Sequence, residues 1–182
     1  MEIKGTSVKT TYDFVKSKYP NDLTKWLQAL SPSQKKIFTD VIKANEWYPL
    51  MDSVIIPMQV VAKLFYAGDQ KKAAREIGIF SAKSALTGIY KAFLLVASVK
   101  YVLERARHIW SAYYRPCEFN MLESKSNRAV FEINGFAKEE SLIFQRLGGW
   151  LEGLFELTKQ KSNNVNINIV YNTDDFQCSS NI

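Results

Sequence analysis

The spacing of the apolar residues changes at Pro116, and this change constrains the fold more than any other feature of the chain. Before Pro116, apolar residues recur at the three-to-four-residue spacing of amphipathic helices. After it, the segments 117–123 and 128–134 alternate between apolar and polar residues, which predicts a β-hairpin with its turn at 124–127. The chain is therefore divided at this proline into a helical part and a part that contains strands.

The second part does not consist of strands alone. Helical spacing returns over 141–161, and two further strands are predicted at 165–171 and 176–182. Hairpin, helix and hairpin in this order are typical of an antiparallel sheet with a helix packed on it. We therefore predict an α+β fold in one domain: an N-terminal helical part, 1–115, packs on an antiparallel sheet of about four strands with one long helix inserted, 116–182.

Within the helical part, the clearest helix start lies at Ser31. Its hydroxyl can cap the helix, a proline follows in the first turn, and Gln34 stands where its side chain can reach back to the cap. Another helix is predicted to begin at 47–50 and to be kinked or broken at Pro57. An earlier helix is predicted over 8–18.

Composition excludes several classes of function. Two cysteines and one histidine among 182 residues cannot supply four Cys/His ligands for a structural zinc ion. Cys117 and His108 could form a nucleophilic pair, but nothing places a third, orienting group beside them. No phosphate-binding glycine loop and no nucleophile elbow occur. We therefore expect no enzyme, and no disulfide scaffold.

Charge and hydropathy exclude two further classes. The net charge of +6 comes from basic residues that are scattered and mostly balanced by nearby acids, so we expect no nucleic-acid binding. The longest apolar run, 92–97, is far shorter than the roughly 20 residues that span a bilayer. The N-terminal residues lack the pattern of a signal peptide, and we expect a cytoplasmic protein.

Two smaller features have a structural explanation. At 100° per residue, His108 points away from the apolar side of its helix, which predicts an exposed histidine rather than a ligand. Gly149 and Gly153 are one turn apart on one side of a helix. They either provide space for a ligand or partner helix, or let the helix backbone pack closely on the sheet, and we favour the sheet.

Aromatic residues provide the strongest indication of binding. They are concentrated in the helices before Pro116 and in the elements predicted to pack opposite. Tyrosine and tryptophan can bind an apolar molecule and still provide a polar contact. The candidate ligand-binding residues are Tyr90, Phe93, Trp110, Tyr114 and Trp150, with Arg115 as the anchor for an anionic group. The alternative is an aromatic core that contains no cavity.

Six short blocks and one cysteine, spread over most of the chain, carry a family resemblance. They are Trp47–Leu50, Arg75–Ala82, Gly88–Phe93, Arg105–Trp110, Tyr113–Tyr114, Gly149–Gly153 and Cys178. Together they resemble a bacterial family abundant in myxobacteria, which is related to haem-NO-binding domains, 4-vinyl-reductase-like ligand-binding domains and TRAPP vesicle-tethering subunits. The resemblance implies an α+β fold in which helices enclose a cavity against an antiparallel sheet.

The chain departs from these relatives at their cofactor motifs. Haem-NO-binding domains carry Tyr-x-Ser-x-Arg before the last long helix, where this chain has Phe131–Gly135. Some 4-vinyl-reductase-like domains hold zinc through a cysteine pair, of which only Cys178 is matched, with Val170 or Tyr171 at the earlier position. We therefore expect no cofactor, neither haem nor zinc.

The sequence thus predicts a non-enzymatic ligand-binding or sensory domain. It would hold a small apolar or aromatic molecule between helices and sheet, and an unidentified downstream protein would respond to binding. The first alternative is a homodimeric interaction module with a filled core, which by analogy with tethering subunits would make contact through the helices at 8–18 and 31–44. The second alternative is a haem-based gas sensor.

Overall fold

Helices make up most of the N-terminal half. The computed structural model describes residues 1–85, 106–124, 129–157, 168–171 and 178–181. The first five α-helices are α1 (Gly5–Lys18), α2 (Leu23–Gln28), α3 (Pro32–Thr39), α4 (Ile56–Phe65) and α5 (Gln70–Ala85). Two more follow in the second half, α6 (Ala106–Tyr113) and α7 (Leu142–Leu157). The spacing of apolar residues also predicts two helices over 80–114, divided near residues 97 and 98, and this division lies outside the described residues.

A small antiparallel sheet joins three distant parts of the chain. Its strands are β1 (Glu2–Lys4), β2 (Trp47–Pro49) and β3 (Tyr114–Arg115), with β1 in the centre. Ile3 of β1 lies opposite Tyr48 and Tyr114 and is fully buried. The prediction that 47–50 begins a helix was wrong, because residues 47–49 hydrogen-bond to β1 instead. For the same reason α6 ends at Tyr113, one residue before the predicted helix end.

The second half has the predicted order of hairpin, helix and hairpin. Strands β4 (Glu118–Ser124) and β5 (Ala129–Asn134) pair antiparallel, as do β6 (Asn168–Tyr171) and β7 (Cys178–Asn181), and α7 lies between the two pairs in the chain. The α+β fold class is confirmed. Among the described residues, the four strands are hydrogen-bonded as two pairs, and β7 of the second pair lies beside β5 of the first.

The predicted helix start at Ser31 is confirmed. The Ser31 hydroxyl accepts a hydrogen bond from the Gln34 backbone N–H at 3.4 Å, and the Gln34 side-chain oxygen accepts one from the Ser31 N–H at 3.1 Å. This reciprocal pair satisfies two donors that an uncapped helix would leave free. Gln34 also donates to Asp52 at 2.9 Å, which ties the start of α3 to the segment before α4.

We expect Ser31→Ala to lower the free energy of unfolding by about 1 kcal/mol, because the substitution removes the capping oxygen. Urea unfolding followed by far-UV circular dichroism measures the change. Ser17→Ala is the control, since Ser17 is exposed near the end of α1 and its loss is expected to change stability by less than about 0.5 kcal/mol. Equal stability of the two variants would contradict the capping assignment.

The predicted irregularity at Pro57 takes the form of a change in helix type. Residues Met51–Ile55 form a wide π-helical turn, and Pro57 follows in the first turn of α4, where its missing N–H costs no helical hydrogen bond. The Pro57 carbonyl accepts a hydrogen bond from the indole N–H of the buried Trp26 at 3.2 Å. The proline therefore lies where the π-helical turn gives way to α4.

Helices α5 and α7 pack closely because glycines line their contact. A Cβ atom on Gly78, Gly149 or Gly153 would collide with backbone of the facing helix. Arg75 and Glu152 form a bidentate ion pair across this contact, with one N–O distance of 2.9 Å. The favoured prediction, that the glycine pair on α7 packs on the sheet, was wrong: the glycines make room for a partner helix, α5, which was the alternative.

The predicted dimer surface remains a prediction. Its first helix, α1, contributes one face to the core, with Val8, Phe14 and Val15 buried. What α1 leaves at the surface is mainly polar, for example Lys9 and Lys16. Among the described residues, no helix is long and apolar enough to cross a membrane.

Candidate functional site

Five aromatic rings from α6, the first hairpin and α7 pack against one another and form what we call the aromatic cluster. Its members are Trp110, Tyr114, Phe119, Phe136 and Phe144. Trp110 and Tyr114 stack with centroids 4.3 Å apart and planes at 22°. Phe136 meets Trp110, Tyr114 and Phe144 edge to face at 5.1–6.0 Å. This is the region in which the sequence predicts the ligand.

The predicted ligand-binding residues do not all lie in this cluster. Trp110, only 6% exposed, and Tyr114 belong to it. Trp150 lies on α7, half-buried, with its backbone against Gly78. Tyr90 and Phe93 lie outside the described residues.

Arg115, the predicted anchor for an anionic group, lies at the surface. Its side chain is about half exposed, and its Nε donates to Glu2 at 2.7 Å. Its guanidinium also stacks over the Trp47 ring at 4.3 Å. In this position Arg115 links two edges of the small sheet, and the role of anion anchor stays a prediction for it.

A different arginine, which the sequence analysis did not single out, is buried beside the aromatic cluster. Arg146 of α7 is 4% exposed. Its Nη2 donates to the Ser7 carbonyl at 2.8 Å and lies 3.5 Å from the Ser7 hydroxyl. Its Nη1 is buried without a hydrogen-bond partner in the described part of the chain. The same holds for the hydroxyl of Thr11, one turn beyond Ser7 on α1.

We call Ser7, Thr11, Tyr114 and Arg146 the buried polar group. Burial raises the pKa of the Tyr114 hydroxyl, while the Arg146 guanidinium and a hydrogen bond with Ser7 act in the opposite direction. Burial likewise lowers the pKa of Arg146, which the nearby Tyr114 partly offsets. Arginine nonetheless stays protonated in proteins. Tyr114 thus connects this group to the aromatic cluster.

The sequence contained a signal for Arg146. It stands three residues after Ile143 and four before Trp150, so a charged residue occupies the apolar face of α7. A charge at such a position is rare unless it is paired. Helical spacing alone could have identified Arg146, but the residues that surround its guanidinium, Ser7 and Tyr114, come from α1 and β3.

A groove of about 370 Å³ lies on another part of the surface. It is lined by Ile56, Gln59, Val60, Lys63, Gly68 and Gln70. None of the predicted ligand-binding residues contributes to it.

The described residues do not fit a haem iron or another metal ion. The only histidine in the chain, His108, is exposed on α6, as its helical position predicts. Burial raises the pKa of the Cys117 thiol to about 11, so at neutral pH this sulfur is protonated. Among the described residues, no three His, Cys, Asp or Glu side chains come together as a metal site.

The chain matches no known protein-family model, and no curated protein matches it in sequence. Its fold, however, is similar to that of solved H-NOX proteins. The Fe(II) unliganded H-NOX protein from K. algicida is 11% identical, with a TM-score of 0.67 over 98% of this chain and 95% of that one.

The Fe(II)NO H-NOX protein from S. oneidensis is 14% identical, with a TM-score of 0.61 over 98% and 97% of the two chains. A third similar structure, described in terms of haem redox potential and porphyrin distortion, is 14% identical with a TM-score of 0.66 over 98% of each chain. These likenesses cover almost the whole chain. The chain therefore has the H-NOX-like α+β fold that its resemblance to haem-NO-binding domains implies.

Proposed function

We propose that the chain is a non-enzymatic ligand-binding or sensory domain that holds a small apolar or aromatic molecule at the aromatic cluster. The observation that carries the proposal is the position of the buried polar group. In the described part of the chain, the indole nitrogen of Trp110 within the cluster lacks a hydrogen-bond partner, and so do the Thr11 hydroxyl and Nη1 of Arg146 in the buried polar group. Native cores satisfy nearly all such atoms, and a bound ligand is one way to satisfy them.

The likeness to H-NOX proteins supports this proposal at the level of fold. The similar structures include proteins described with Fe(II) and NO or in terms of haem. A domain of this fold that binds a ligand can act as a sensor, because binding favours one conformation over another and a partner protein can respond to the difference.

A haem-based gas sensor is the second candidate, and the descriptions of the H-NOX structures favour it. The residues described here oppose it, because His108 is exposed and Cys117 holds its proton. The two candidate functions predict different visible absorption spectra for the purified protein. Haem would give the purified protein an intense visible absorption band when the cells are supplied with iron and haem precursor, and the proposed ligand would not.

The proposal is tested by measuring how much of the protein carries a small molecule in native mass spectra. We expect Trp110→Phe and Phe136→Leu, both within the aromatic cluster, to retain it about three- to tenfold more weakly, in line with the roughly 0.5–1.5 kcal/mol of an aromatic contact. Tyr113→Phe, at an exposed position on the same helix as Trp110, is expected to retain it like the wild type. If all three variants retained the small molecule equally, the proposal would be wrong.

A further inference from the structure

The guanidinium of Arg146 lacks a counter-ion among the described residues. None of the ion pairs formed there includes it. Its hydrogen-bonding partners at Nη2 are the carbonyl and hydroxyl of Ser7, neither of which carries a charge. Outside the described residues the sequence contains three acidic side chains, Glu104, Asp174 and Asp175. A buried cation without a carboxylate is costly unless an anion compensates it.

The surroundings of Arg146 indicate which kind of anion would fit. One guanidinium with its Nη1 free offers a single positive charge. The hydroxyls of Ser7 and Tyr114 lie next to it and can donate hydrogen bonds to an oxygen anion. A carboxylate, with one negative charge and two acceptor oxygens, matches this donor set, whereas a phosphate would bring a second charge that nothing nearby balances.

The apolar surroundings indicate the rest of the ligand. Tyr114 has its hydroxyl in the buried polar group and its ring stacked on Trp110. A molecule that reaches Arg146 along these rings would therefore place an apolar or aromatic body against the aromatic cluster.

We propose that Arg146, with Ser7 and Tyr114, binds the carboxylate of a small acid whose body is apolar or aromatic. This inference rests on the proposed function and assigns to its ligand a class, the monocarboxylic acids. The role of anion anchor, which the sequence analysis gave to Arg115, passes to Arg146. Ligand entry would require the side chains that now enclose Nη1 to move apart.

The test compares acids with their uncharged amides. Phenylacetate and octanoate are titrated into the purified full chain by calorimetry at neutral pH, up to about 10 mM so that a millimolar site is detected. Phenylacetamide and octanamide are titrated in the same way. We expect at least one acid to bind at least about tenfold more tightly than its amide, the difference that a charge-assisted hydrogen bond provides.

Two arginine variants identify the anchor. Arg146→Met keeps the length of the side chain and removes a buried charge, so it is expected to fold, and it should abolish the preference for acid over amide. If Arg115→Met lost the preference for acid over amide and Arg146→Met kept it, the assignment of the anion anchor to Arg146 would be wrong. The comparison of acid and amide on the wild-type chain is decisive by itself, should Arg146→Met not fold.

The outcomes separate this inference from the proposed function. Equal binding of acids and amides would overturn the role of Arg146 and leave an apolar ligand site standing. If none of the four probes bound, the carboxylate assignment would be wrong. The proposed function would then be tested by native mass spectrometry of the chain alone.

Discussion

Gly149→Ala is expected to lower the free energy of unfolding by about 3 kcal/mol or more. The new Cβ atom would overlap the Arg75 carbonyl of α5 and lie 2.7 Å from its carbonyl carbon. Because these are backbone atoms, no side-chain rotation can relieve the overlap, and the two helices would have to separate. Such a loss is large beside the roughly 5–15 kcal/mol that stabilises a typical domain.

Gly68→Ala is the matched control for this substitution. Gly68 has a φ of +88°, and a Cβ atom there would meet nothing within 4 Å. Its cost therefore comes from backbone strain alone and is expected to be about 1 kcal/mol. Thermal and urea unfolding of both variants measure the difference. A Gly149→Ala variant as stable as the wild type would show that α5 and α7 do not pack as described.

Trp110→Ala is expected to lower the free energy of unfolding by about 3–5 kcal/mol. The substitution removes a ring that is 6% exposed and that contacts three other members of the aromatic cluster, Tyr114, Phe119 and Phe136. The space left behind is enclosed by rigid rings, which limits how far the site can collapse.

The neighbouring Tyr113 provides the comparison on the same helix. It is 38% exposed, and Tyr113→Ala is expected to cost less than about 1 kcal/mol. Urea unfolding of the two variants gives both values. If Tyr113→Ala were the more destabilising substitution, the side of α6 that faces the core would be wrongly assigned.

Local signals in the sequence predicted local structure well. The cap at Ser31 needs only residues within one turn, and its two hydrogen bonds are as expected. The change of period at Pro116 predicted the hairpin and the helix that follow, because alternation and helical spacing are properties of contiguous segments. Strand β2 could not be found in this way, since its three residues obtain their hydrogen bonds from β1, more than forty positions away.

The candidate site shows the same limit of local patterns, which do not reveal contacts between residues that are distant in the sequence. Trp110 near the end of α6 and Tyr114 at the start of β3 are four residues apart, and their stacking agrees with the predicted grouping. The role of Arg146 could not be predicted from local spacing, because its hydrogen-bonding partner, Ser7, is 139 positions away in the sequence. Gly149 indicates that another element packs closely on α7. The sequence does not show that this element is α5, whose Gly78 and Arg75 face α7 in the structure.

The most direct test of the ligand-binding account is the mass of the freshly purified chain, measured first under native and then under denaturing conditions. The account predicts a mass excess in the native state that disappears on denaturation, with a value that belongs to a small organic acid and not to haem. A native chain, monomer or dimer, that carries no excess mass would contradict the account. A mass excess equal to the mass of haem would instead support the haem-based gas sensor.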